Sequence, residues 1–133
     1  MFIAIHVFHM HGWFHFDAWL ANVVEPLGGG QFRPYNAAST AGHAVQASLI
    51  VPLFYAIGVL ACVFHLANGI WTMGITWGVW VSAAAQTRAS WACLVFGVAL
   101  SGVGLSALVG AKQISFDQAV QSEQQMYEAN VAA

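Results

Sequence analysis

The stretch "FYAIGVLACVFHLANGIWTMGITWGVWV", residues 54–81, decides how this chain folds. It holds no Asp, Glu, Lys or Arg, yet it carries a histidine, an asparagine, two threonines and four tryptophans or tyrosines at intervals. The uncharged run extends outward from it, from residue 34 to residue 87, and resumes after Arg88 from 89 to 111. A helix needs roughly 20 apolar residues to cross a bilayer. Both runs exceed that, so residues 48–81 and 89–111 read as two transmembrane helices. Only 6% of the 133 residues are charged and 59% are apolar, whereas a soluble domain carries about 25% charged residues. Three basic residues, Arg33, Arg88 and Lys112, form no stripe, which argues against a nucleic-acid partner.

Outside these spans the chain changes character. Residues 1–7, "MFIAIHV", are too few to cross a membrane and read as the last turns of a span that begins upstream. Residues 8–47 read as a loop. Its first part, "HMHGWFHFDAW", mixes histidine with aromatic rings in the manner of a membrane-surface belt. "LGGGQFRP" (27–34) reads as a flexible turn, and 35–46, small and polar, as loop, with His43 solvated. The short connector 82–88 makes the two spans antiparallel neighbours. Small residues recur every fourth position, at Gly74 and Gly78 and at Gly102, Ser106 and Gly110, a spacing that lets membrane helices approach closely. Residues 113–133 form a polar, acid-leaning tail, either a surface helix or disordered. The fold class is therefore all-α, an integral membrane helical bundle with the membrane-embedded part at 1–112.

His65 is the residue that needs explaining. At 100° per residue, the positions within about 60° of it on a helix are Gly58, Ala61, Cys62, Asn68, Gly69, Thr72 and Thr76. All are small or carry a short polar group. The opposite face, Ala56, Leu60, Val63, Ala67, Ile70 and Gly74, offers no hydrogen-bonding side chain. An ionisable residue inside a membrane span points to function. An imidazole raised above small neighbours suits the axial ligand of a b-type haem; a proton relay or a helix-packing hydrogen bond are the other readings. His6 is the second histidine within an apolar run. His65 lies about 25 Å along its span and His6 at the opposite face, so the two do not easily ligate one haem; if both are ligands, there are two haems at different depths, each lacking its second histidine in this chain.

These residues resemble a known family. "FYAIGVLACVFHLANGIWTMGITWGVWVSAAAQ" is similar to the fourth helix of the cytochrome b subunit of succinate:quinone oxidoreductases of the two-haem, five-helix type. "IHVFHMHG" resembles the end of its third helix and "WACLVFGVALSGVGLSALVGA" its fifth. The resemblance implies two b haems between the helices. His65 would ligate the one nearer the iron–sulfur subunit and His6 the distal one, both as axial ligands of haem iron. It implies that the front of the subunit, with the partner histidines on helices one and two, is missing here. It further implies flavoprotein and iron–sulfur partner subunits, a quinone, often menaquinone, and a multi-pass place in the cytoplasmic membrane. The subunit itself would perform no succinate chemistry: succinate dehydrogenase or fumarate reductase activity would sit on the partners, and this chain would anchor them and carry electrons. His11, Trp13, His15 and Asp17 lie where the family binds quinone near the distal haem and are candidates for that site. Some members carry a glutamate two residues before the helix-four histidine for proton transfer; here that position is Val63. The resemblance places the Arg88 connector inside, while three basic residues leave orientation open by charge. A haem-free helical membrane protein (a transporter or assembly fragment) and the membrane cytochrome b of another dehydrogenase are the competing readings.

Overall fold

A computed structural model describes residues 1–132. It is all-α: α1 (Phe2–His11), a short α2 (Asp17–Trp19) that widens into a π-helical turn (Leu20–Val24), a 3-10 turn (Pro34–Asn36), α3 (Ala37–Gln46), α4 (Ile50–Thr76), α5 (Ala83–Gln113) and α6 (Phe116–Val131). Among the described residues there is no strand. The chain divides into two compact units. One joins residues 1–52 to the chain from Gly110 on; the other is Leu53–Val109.

The second unit is a helical hairpin made of the bulk of α4 and α5. The two helices have 27 and 31 residues, about 40 and 46 Å of length, against a hydrocarbon core of about 30 Å. Their most apolar windows are only 11% and 0% buried. A soluble protein would cover such surface; a bilayer covers it for free, so the helices are membrane helices. The helix limits differ from the expected ones because a helix and its apolar part end at different signals. α4 stops at Thr76, where Gly78 takes a left-handed conformation (φ 71°) and the Val79 N–H donates back to the Gly74 carbonyl at 2.8 Å. α5 starts at Ala83, before Arg88, because the Ser82 hydroxyl accepts the Ala85 N–H at 3.2 Å as an N-cap. The turn between them is pinned by indoles. Trp80 Nε1 donates to the Trp71 carbonyl at 2.9 Å, Trp71 Nε1 donates to the Gln86 carbonyl at 3.3 Å, and the Trp80 ring lies on Gly74 so closely that a Cβ there would collide with it.

The glycines that let α5 approach α4 are not the expected ones. A Cβ at Gly104 would meet Val59 Cγ1 at 2.6 Å, and one at Gly97 would touch the Ala67 methyl at 3.5 Å. Gly102 and Gly110 have open space beside them. The close approaches thus fall at Gly97 and Gly104, seven residues apart, and not at Gly102 or Gly110.

In the first unit, α1 ends at Gly12 (φ 74°). The expected flexible turn at 27–34 is an ordered strap. Gly30, Gln31 and Phe32 donate their N–H groups to the carbonyls of Phe8, His9 and Met10 at 3.2, 3.0 and 2.9 Å. The His9 and Met10 carbonyls are ones a helix end leaves without a helical partner, and the Phe8 carbonyl also accepts the Gly12 N–H at 2.8 Å. Glycine is needed for that approach: a Cβ at Gly29 would stand 2.9 Å from the Phe8 carbonyl oxygen and 2.9 Å from Val24 Cγ1. Val24 is fully buried and forms the small core beneath the strap. Residues 37–46, expected as loop, are helical. Gly42 lies against the end of α5, with Ala111 O and Ile114 3.5 Å from where its Cβ would be. Gln46 Nε2 donates to the carbonyls of Ala111 and Ile114 at 3.3 and 3.0 Å. The local sequence is too small and polar to announce a helix; packing against a distant segment makes it one. The polar tail is α6. Its Glu123 is buried against α3, accepting from the Ser39 N–H (2.9 Å), the Ser39 hydroxyl (2.7 Å) and the Asn36 amide (3.2 Å).

Candidate functional site

α4 carries His65 at its sixteenth position, about 23 Å from the start of the helix. The face opposite to it is the one α5 uses: Val63 is buried, and the Ala67 methyl touches Gly97. On the His65 side, Gly58 is buried, while Ala61, Cys62, Asn68, Gly69, Thr72 and Thr76 are all exposed, and so is His65 itself. A Cβ at Gly69 would meet nothing within 4 Å. The two threonines do not need a partner from outside. Thr72 Oγ1 donates to the Asn68 carbonyl at 2.7 Å and Thr76 Oγ1 to the Thr72 carbonyl at 3.1 Å. Back-bonding of this kind satisfies hydroxyls in an apolar setting.

This face meets the requirements of a porphyrin edge-on to a helix. It has one imidazole able to bind iron as the neutral ring. Its neighbours are small enough for a flat macrocycle to come close, and their hydroxyls are already paired. It presents one imidazole only. Among the described residues, no three His, Cys, Asp or Glu side chains gather into a metal-binding group. A haem asks for less from the protein than a bare ion does, because the porphyrin provides the four equatorial nitrogens.

The remaining site residues expected from the sequence lie in the other unit. His6 sits within α1, its ring stacked on Phe2 with centroids 5.9 Å apart. His11 and His15 come together on a small cavity of about 50 Å³, walled also by Met10, Val24, Glu25 and Arg33. Trp13 and Asp17 do not line it. Trp13 adopts φ 64°, a conformation that costs a bulky residue of order 1 kcal/mol or more. It is held there by a 2.9 Å hydrogen bond from its indole to the Ala4 carbonyl and by the edge of Phe8, 4.9 Å between centroids. Trp19 Nε1 donates to the Gly12 carbonyl at 2.7 Å. Trp13, Phe14 and Phe16 remain about half exposed. Asp17 is exposed at the start of α2.

Beside the small cavity lies a larger cleft of about 550 Å³ that the sequence does not announce. It shares Glu25, Gly29, Gly30 and Arg33 with the small cavity and adds Asn36, Thr40, His43, Phe116 and Val120 among its walls. Residues 25–43 build it together with the distant α6 residues Phe116 and Val120, which is why no local pattern marks it. Next to it, hydrogen bonds from Ser39, first its hydroxyl and then its N–H, hold the Glu123 carboxyl below the usual carboxylate range against the opposing effect of burial. The Asn36 amide and the Ala38 N–H add to this.

Fold and site together define an all-α membrane protein with a histidine displayed on the open, small-residue face of a spanning helix. In sequence the chain is similar to the succinate dehydrogenase cytochrome b558 subunit of Bacillus subtilis (strain 168), 44% identical over 55 residues. The match covers 41% of this chain and 27% of that protein's length, so the chain aligns with about a quarter of its curated relative. This is the family whose resemblance the motif around His65 carries. No protein-family model matches the chain, and no solved structure matches it.

Proposed function

We propose that this chain is part of the membrane-anchor cytochrome b subunit of a succinate:quinone oxidoreductase, passing electrons between an iron–sulfur subunit and membrane quinone. One observation carries the reading: His65 stands on the exposed, small-residue face of α4, turned away from the face that packs on α5. The similarity to a succinate dehydrogenase cytochrome b558 subunit supports it.

In this reading His65 is one axial ligand of a b haem, and the exposed Gly69 and Ala61 leave room for the ring. Bound there, the haem supplies reversible one-electron transfer. His6 is a ligand of a second, distal haem. The other axial histidine of each haem comes from helices outside this sequence. The flavoprotein and iron–sulfur subunits carry out succinate chemistry, and α4 and α5 anchor them in the cytoplasmic membrane. Val63 lies on the α5-facing side with no carboxylate, so proton transfer along α4 by a glutamate at that position has no support.

The test is a reduced-minus-oxidised optical spectrum of membranes containing the assembled complex, wild type against His65→Leu. Loss of one b-type signal with the other retained is the expected result. An unchanged spectrum would overturn the ligand assignment.

A further inference from the structure

We infer that residues 12–16 form an aromatic hook that lies in the lipid interface beside α1, with phospholipid acyl chains as the partner of Trp13, Phe14 and Phe16. The inference rests on the membrane part of the reading above and not on haem.

The chain turns back on itself here. α1 stops at His11, and Gly12, with φ 74°, reverses the chain. Trp13 then reaches back along α1. Its indole N–H donates to the Ala4 carbonyl at 2.9 Å, and its ring meets Phe8 edge to face. Ala4 stands seven residues, about 10 Å, before the end of α1. Trp13 therefore lies beside the apolar half of α1, not beyond its histidine-bearing end. That half also exposes Ile3 and Ile5. With the hook it makes one uncharged stretch: residues 1–16 contain no Asp, Glu, Lys or Arg, and Asp17 is the first of them.

The hook sorts its side chains by polarity. Phe16 has an extended backbone (φ −100°, ψ 137°), and successive side chains on an extended segment point to opposite sides. Phe14 and Phe16 stack with centroids 6.1 Å apart and are 57% and 56% exposed. His15, between them, lines the small cavity with Glu25 and Arg33. The rings gather on one side and the ionisable group goes to the other.

Hydrogen bonding fits the rings to hydrocarbon. An indole at a membrane surface ordinarily keeps its N–H in the wet layer. Here both indoles of the cluster are satisfied from inside: Trp13 by the Ala4 carbonyl, Trp19 by the Gly12 carbonyl at 2.7 Å. The rings need nothing polar from outside. The same bond and the Phe8 contact hold Trp13 at φ 64°, a costly conformation for a bulky residue.

Two limits set the depth. The backbone of 12–16 is non-helical, and such backbone does not face lipid within the hydrocarbon core. Water suits the hook no better, because three large rings stand about half exposed with no charged residue among them. The interface is left, where aromatic residues concentrate, with the rings reaching the first carbons of the acyl chains. The partner is lipid because the surface continues from an apolar helix, in a chain with two helices long and apolar enough to span a bilayer.

The experiment is photolabelling of the membrane complex in phosphatidylcholine vesicles. Two diazirine lipids are used, one reactive near the glycerol and one near the chain end, beside a water-soluble diazirine. Mass spectrometry locates the label. Residues 13–16 should take label chiefly from the glycerol-end lipid. Trp13→Gly keeps the left-handed backbone available and removes the tie to Ala4. Lipid label on Phe14 and Phe16 should then fall several-fold and soluble label rise. Wild-type hook labelled by the soluble reagent alone would overturn the inference. So would a hook labelled by none of the three, which would mean that protein covers the rings, or one labelled chiefly by the chain-end lipid. Unchanged lipid label in Trp13→Gly would overturn the tie through Trp13. Label on α4 and α5 from the chain-end lipid is the internal control. Its absence would sink the membrane reading itself, and the two failures are thereby distinct.

Discussion

Glu123 shows how much a single side chain can organise. α3 begins at Asn36 without a side-chain cap of its own. The carboxylate of Glu123 arrives from α6 and takes the Ser39 N–H at its N-terminus, doing from a distance what an N-cap residue does locally. Its pKa is lowered in the folded chain, so the linkage has a definite sign. The contribution is fully present above the ordinary carboxylate range and is lost as pH falls through the lowered folded value. The protection of α6 amides, corrected for intrinsic exchange at each pH, should therefore fall in acid below that range and stay flat between pH 6 and 8. In Glu123→Gln the acid step should disappear, with exchange already faster at neutral pH. A wild-type profile without an acid step would remove the role given to this carboxylate. At the same scale, His65→Leu tests whether the imidazole on α4 holds iron, and the sequence alone singled that residue out. It did so because an ionisable group among uncharged neighbours has few reasons to be there.

At the scale of the element, the structure separates two meanings of a small residue. A Cβ at Gly104 or Gly97 would meet α4, whereas one at Gly102 or Gly110 would meet nothing within 4 Å. Gly104→Val should overpack against Val59 and cost about 1–3 kcal/mol; Gly102→Ala should be close to neutral. Thermal unfolding of the two variants in detergent checks this, and equal destabilisation would contradict the contact. Composition announced α4 and α5 as long uncharged runs, and both are long and apolar enough to cross a membrane. Composition could not show which stripe packs, since small residues serve lipid contact, turns and helix contact alike. Gly74 and Gly78 illustrate the ambiguity. Their spacing mimics a packing motif, yet one accommodates the Trp80 ring and the other turns the chain. The limits of α5 and of its uncharged run differ for a related reason: Arg88 marks where the uncharged run starts, while Ser82 marks where the helix starts.

At the scale of the whole molecule, local pattern had least to offer. Residues 27–46 look like loop because they are glycine-rich and then small and polar. They are ordered because the strap pairs with the end of α1, and α3 packs on Gly110 and beyond. Such pairings depend on residues 60 or more positions apart in the case of Gln46, and no window of sequence contains both partners. The large cleft was hidden for that reason, while His11 and His15 were visible as histidines. The exposed, uncharged surfaces of α4 and α5 carry a further expectation: the protein should stay with membranes through alkaline carbonate washing and require detergent for release. Recovery in the wash would contradict a spanning role.

The hydrogen bonds from Ser39 and Asn36 to Glu123 join residues 84 and 87 positions apart, and in a living cell that distance is also a delay. A ribosome adding about 5–20 residues per second delivers Glu123 roughly 4 to 17 s after Ser39. During that interval both hydrophobic spans are made, so α3 waits for its acceptor while the chain is being threaded into lipid. A nascent chain stalled before residue 116 should leave 36–46 open to protease, and release of the remaining residues should close it. Docking of α6 on α3 then reports that α4 and α5 have already been made.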